Sequence, residues 1–155
     1  MIIGYIGRMG SGKTLSMVRN AYRYYKAGYT IYSNINLKFP HKPYTLQELI
    51  DYANNNVTLK KSVILIDEAH IFLDSRNSGS KRNRVISYFL LQTRKKGCHL
   101  YYTTQRFHQI DKRLRDNSDV LIQCKTKTDK YGQKYTMNDI NIMLENTIKQ
   151  KKKLS

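Results

Sequence analysis

From Ile2 to Thr14 the chain reads IIGYIGRMGSGKT, an apolar run that passes straight into a glycine-rich turn and then a lysine and a threonine. Gly7 to Thr14 fit the pattern GxxxxGK[ST], and the residues after it carry apolar side chains at Leu15, Val18, Ala21, Tyr22 and Tyr25, spaced as one buried helical stripe. A strand before the loop and a helix after it are the context in which this pattern has a mechanism. Gly7, Gly10, Ser11 and Gly12 let backbone N–H groups wrap phosphates, and the helix N-terminus adds partial positive charge. Lys13 then neutralises the β and γ oxygens, and Thr14 offers a hydroxyl to magnesium. ATP and Mg2+ are the ligands this loop predicts.

Outward from the loop, strands and helices alternate. Gly28 ends the first helix, and Tyr29 to Ile35, rich in β-branched and aromatic residues, predicts a second strand. Thr45 caps a short helix in which Glu48 completes a capping box and Leu46, Leu49, Ile50, Tyr52 and Ala53 form the core face. Val63 to Ile66 is a continuous apolar run, as in a strand buried on both faces of a parallel sheet, and it ends in Asp67-Glu68. A carboxylate at that place can hold the magnesium shell while the next one polarises the attacking water, which makes Asp67 the metal-side acid and Glu68 the general base.

Asp74 to Arg84 has no apolar period and predicts an exposed loop, followed by a helix from Val85 that Gly97 terminates. Cys98 to Thr104 is the fourth strand, with Gln105 after it as the candidate γ-phosphate sensor. A polar helix from Ile110 to Asp116 leads to a fifth strand, Val120 to Cys124. Tyr131-Gly132 marks a hairpin tip, and the end from Asn138 reads as a helix fading into Lys151 to Lys153. Residues 1–155 thus form one domain, with a short hairpin and basic tail at about 125–155. The alternation predicts an α/β fold with a mostly parallel sheet, helices on both faces, and ligands beyond the carboxyl ends of the strands.

Charge points to the partner. The chain has 28 Lys and Arg against 11 Asp and Glu, a formal +17, and such a field attracts polyanions. Arg76, Arg84 and Arg94 are candidates to stabilise transition-state charge in a neighbouring subunit. No apolar stretch is long enough to span a bilayer, and the apolar start lacks a basic n-region, so neither a transmembrane segment nor a signal peptide is expected and the location is cytoplasmic. Cys98 and Cys124 are too few for a disulfide framework and read as buried strand residues; the four histidines have no metal-ligand spacing.

Together, GRMGSGKT, VILIDEAHIFLDSR and LQTRKKGCHLYYTTQRFHQIDKRLRDNSD resemble the HerA/FtsK branch of P-loop ATPases, and within it the viral genome-packaging ATPases and the Zot-like phage morphogenesis ATPases. The resemblance covers Met1 to about Cys124, and its most specific feature is a basic helix, a glycine, a strand and then TTQ. It implies a RecA-like (ASCE) core with strand order 5-1-4-3-2, Lys13 and Thr14 on ATP-Mg, Asp67 and Glu68 as the Walker B pair, and Gln105 as sensor. It also implies a hexameric DNA translocase acting on double-stranded DNA without sequence preference, with a capsid or membrane protein as recruiting partner. Zot-like proteins commonly carry a transmembrane segment after the core, and its lack in this chain favours a packaging motor in the host cytoplasm or virion over phage assembly and export.

Other readings fit less of the chain. Asp67 to His70 spells DEAH, but that helicase family needs two lobes in one chain. A small nucleotide kinase would carry an arginine-rich lid and no Asp-Glu pair on a buried strand. Thr126 to Asp129 approximates a guanine-reading motif without the DxxG element a GTPase requires. A nucleotide-dependent DNA-binding scaffold that does not translocate is distinguished only by turnover.

Overall fold

The computed structural model describes residues 1–72 and 79–142, the last eight of these through their backbone. Strands β1 (Ile2–Ile6), β2 (Thr30–Ser33), β4 (Ser62–Ile66), β5 (Cys98–Thr104) and β6 (Val120–Thr128) are the five the sequence predicts. Two more join them: β3 (Lys42–Pro43) and β7 (Lys134–Ile142). The helices are α1 (Lys13–Lys26), α2 (Leu46–Asn54), α3 (Ala69–Phe72), α4 (Gly79–Arg94) and α5 (Lys112–Asp116).

One seven-stranded sheet runs in the order β3-β2-β4-β5-β1-β6-β7. Its inner five strands, taken in chain order as first to fifth, stand as 5-1-4-3-2, and all their pairings are parallel. β7 alone is antiparallel, folding back on β6 through a turn where the Asp129 N–H bonds the Gln133 carbonyl and Gly132 takes φ 79°. Here the structure corrects the reading of a helix from Asn138: residues 138–142 complete β7, paired in register along β6, because a hairpin partner supplies backbone hydrogen bonds that local propensity does not foresee. The remainder of that expected tail lies outside the described residues.

Both faces of the sheet are covered. On one, Ile64, Ile66, Leu100 and Tyr102 pack with Leu49 and Ile50 of α2, Val85, Ile86 and Phe89 of α4, and Leu114 of α5. On the other, Ile3, Tyr5, Ile31, Val63, Leu65, Tyr101 and Ile122 pack with Met17 and Ala21 of α1. β4 is buried throughout, as its unbroken apolar run requires. Cys98 and Cys124 are both buried.

Two helices depart from expectation. The buried face of α1 is Lys13, Ser16, Met17 and Ala21, whereas Leu15 and Tyr22 of the expected stripe are 68% and 42% exposed. Met17 is fully buried against the sheet with Ala21, and Leu15 and Tyr22 are turned outward. α4 begins at Gly79, not at Val85, so the latter part of the expected loop is helical; residues 74–78 lie outside the described residues. Lys, Arg and Ser continue a helix whose first turns face solvent without needing an apolar period. Those turns are also tied down: Arg84 donates to Asn54 Oδ1 at 2.7 Å, and Asn83 Oδ1 accepts from Arg113 at 2.9 Å.

The cap at Thr45 agrees with the sequence, and α5, expected from Ile110, starts at Lys112 with Asp111 as its cap. Thr45 Oγ1 accepts from the Glu48 N–H at 3.2 Å, and Asp111 Oδ1 accepts from the Arg113 N–H at 2.9 Å. Among the described residues, no helix is long and apolar enough to cross a membrane.

Candidate functional site

The glycine-rich loop leaves the carboxyl end of β1, an inner strand between β5 and β6, and α1 starts at its far side. Gly12 makes that turn with φ 85°, a left-handed conformation that L side chains rarely adopt. Gly7 is required by space: a Cβ there would lie 2.5 Å from the Cys124 carbonyl oxygen and collide with Ser11 Oγ. Lys13 is buried, and its ammonium donates to the Arg8 carbonyl at 2.9 Å across the loop. A buried ammonium needs such a partner, and a phosphate oxygen is a stronger one. Ser11 Oγ is buried with no hydrogen-bond partner, a free polar atom in the loop wall.

The register of the sheet brings the acidic pair to the loop. Ile66 stands opposite Tyr102 on β5, and Tyr5 of β1 opposite Thr103, so Asp67 emerges beside Thr103 and near the start of α1. Asp67 Oδ1 accepts from Thr14 Oγ1 at 2.7 Å and from Thr103 Oγ1 at 2.8 Å. Thr103 Oγ1 in turn accepts from the Glu68 N–H at 2.8 Å. Glu68 has φ 49°, a left-handed backbone unusual for a side chain of this kind and held here by that bond. A hydroxyl and a carboxylate side by side, with a second carboxylate one residue on, is a donor set that fits Mg2+ and an activated water.

Glu68, Thr103 and Gln105 share a cavity of about 380 Å3 with Met9, Gly10, Gly12, Lys13, Thr14 and Leu15. Thus Lys13, Thr14, Glu68 and Gln105 meet in one space, and Asp67 lies against it through Thr14. On the other side of the loop, a groove of about 830 Å3 runs between Gly7–Ser11 and the hairpin, past Gln123, Lys125 and Lys127. Thr126 Oγ1 donates to the Gly10 carbonyl at 2.9 Å and ties the hairpin to the loop. Both volumes are in the range of small-molecule sites.

The arginines stand apart. Arg84 is exposed on α4 and engaged with Asn54, and Arg94 lines a cavity with Met1, Ile2 and Asp119 at the opposite end of the sheet. Arg76 lies outside the described residues.

Two residues at the site were assigned no role by sequence. Asn34 clamps Asp67 from both sides: its Oδ1 accepts from the Asp67 N–H at 2.8 Å and its Nδ2 donates to the Asp67 carbonyl at 3.0 Å. Thr103 reads in the sequence only as a residue of the fourth strand. The implied strand order contains the signal for both, because it sets β4 between β2 and β5, and Ser33 pairs with Leu65.

The chain's similarities agree with this geometry. All of residues 1–155 match the family described as Zonular occludens toxin (Zot). The Gene 1 protein of Salmonella phage IKe is 28% identical over a region covering 71% of this chain and 36% of that protein, so the chain spans about a third of the relative's length. Among solved structures, the N-terminal domain of zonular occludens toxin from Neisseria meningitidis is 22% identical with a TM-score of 0.66, covering 96% of this chain and 87% of that one. The genome packaging NTPase of Sulfolobus turreted icosahedral virus 2, in complex with ATP-gammaS, is 16% identical with a TM-score of 0.57, covering 84% and 78%. These likenesses show a RecA-like P-loop fold.

Proposed function

Because the chain belongs to the Zonular occludens toxin (Zot) family, we propose that it is a Mg2+-dependent ATPase that drives DNA movement during phage assembly or export, as one subunit of a homo-oligomeric ring. The supporting observation is the run of three hydrogen bonds that joins Thr14, Asp67, Thr103 and Glu68 beside Lys13. With phosphates on the loop's backbone N–H groups, Lys13 exchanges the Arg8 carbonyl for the β and γ oxygens. Thr14 and Asp67 would hold Mg2+, whose chemistry is to neutralise charge on those oxygens.

Glu68 accepts a proton from water as the water oxygen attacks the γ-phosphorus. The bond from that phosphorus to the β,γ-bridging oxygen breaks, and ADP and inorganic phosphate result. Gln105 lines the same cavity, and its role in this reading is to register whether the γ-phosphate is there. The base and ribose extend along the groove between the loop and the hairpin. Arg76, Arg84 or Arg94 acts on a neighbour's nucleotide, and DNA is held through its phosphates without regard to sequence.

Glu68→Gln should abolish turnover and leave ATP binding intact, and DNA should raise turnover in the unaltered chain. Hydrolysis unchanged in Glu68→Gln would remove the assigned base. Mixed rings carrying charge-reversed Arg84 and intact subunits separate a trans arginine, rescued by its neighbour, from a DNA contact, which is not. Genome packaging is the second reading, favoured by the fold-level likeness to the packaging NTPase. A capsid or membrane protein would recruit the ring in either case.

A further inference from the structure

The first carboxylate in the chain is Glu48; before it stand seven lysines and arginines and no acid. That segment contains α1, the helix that covers one face of the sheet, and residues 35–43, whose Leu37 and Phe39 pack on the same side. The outward side of α1 carries Arg19, Tyr22, Arg23 and Lys26, all exposed and spaced as neighbours along one helical face. Tyr22 is 42% exposed, unlike the tyrosines packed in the core. Its ring stacks on Tyr25 with centroids 6.0 Å apart and 25° between planes, and both rings contact Phe39 at 5.2 Å. The Lys26 ammonium sits 5.0 Å over the Tyr22 ring, and Lys38 is exposed next to Phe39. Among the described residues, none of these four cations pairs with a carboxylate.

An apolar patch alone would suit a protein partner, and cations alone would suit any polyanion. Rings held in one cluster, ringed by cations and free of acids, suit a polyanion whose bases are available for stacking. We propose that the α1 face centred on Tyr22 and Phe39 binds single-stranded nucleic acid, with bases on the rings and phosphates on Arg19, Arg23 and Lys26. The face lies apart from the residues assigned to hydrolysis, so its binding needs no nucleotide and stands or falls independently of the ATPase reading.

The test is fluorescence anisotropy of a labelled oligo-dT strand and of a duplex of equal length, without ATP and at stated salt. Tyr22→Ala should weaken oligo-dT binding about fivefold or more while duplex binding is unchanged, and Tyr22→Phe should retain wild-type affinity. Arg19→Ala with Arg23→Ala should weaken both and flatten the salt dependence. Tyr22 is exposed, so folding is not at risk, and basal ATP turnover in Tyr22→Ala should equal wild type. Photo-cross-linking with halogenated oligo-dU should map to the α1 peptide. Unchanged oligo-dT affinity in Tyr22→Ala, cross-links confined to α4 and α5, or self-association that disappears in Tyr22→Ala would each overturn the assignment, the last in favour of a second copy of this chain.

Discussion

At the scale of single residues, the site depends on one hydroxyl. Thr103 Oγ1 serves Asp67 and Glu68 together, and its side chain is fully buried. Thr103→Val keeps the shape and removes the oxygen, leaving the Glu68 N–H unsatisfied. Turnover is expected to fall at least tenfold with ATP affinity retained, and stability to drop by about 1–3 kcal/mol, read by phosphate release and denaturant melts. Thr103→Ser should recover most of both. Asn34→Ala frees the Asp67 backbone and should lower turnover with a smaller loss of stability, about 1–2 kcal/mol; wild-type rates in that variant would mean the clamp is not needed. Lys13, Thr14, Asp67 and Glu68 were legible because each belongs to a contiguous motif. Asn34 and Thr103 were not, since their roles arise from register between strands distant in sequence.

At the scale of elements, β1 fits closely between β5 and β6. A Cβ on Gly4 would come within 2.6 Å of the Tyr102 ring and 2.9 Å of Leu121. The Tyr102 hydroxyl is held at 2.7 Å by Ser118, so the ring has little room to yield. Gly4→Ala should therefore destabilise the fold by about 1–3 kcal/mol, lowering Tm by several degrees in a thermal scan; an unchanged Tm would show that β1 can shift. The five inner strands and the cap at Thr45 could be read from local patterns. The start of α4 could not, because solvent-facing turns such as Ser80 to Arg84 carry no apolar period. Of the buried face of α1, Ala21 belongs to the expected stripe, whereas Lys13 and Ser16 are polar and carry no apolar signal.

At the scale of the whole molecule, the RecA-like strand order came through the family resemblance, since alternation alone gives a parallel sheet without saying which strands are neighbours. The core is rich in tyrosine. Burial pushes the Tyr5 and Tyr102 hydroxyls up to about 12, and burial likewise raises Tyr44, Tyr88 and Tyr101. The folded state holds these protons more tightly than the unfolded chain, whose tyrosines titrate near 10. That stability is fully present below pH 10 and is lost as pH rises toward 12 and beyond. Alkaline unfolding should coincide with a cooperative rise in tyrosinate absorbance; smooth titration of all thirteen tyrosines near pH 10 with the fold intact would contradict it. Finally, the bond from Thr126 to the Gly10 carbonyl gives the β6–β7 ribbon a mechanical connection to the phosphate-gripping turn. A load applied to the ribbon is felt first by the main chain that would hold the fuel, so a partner seated there could throttle the engine without entering it.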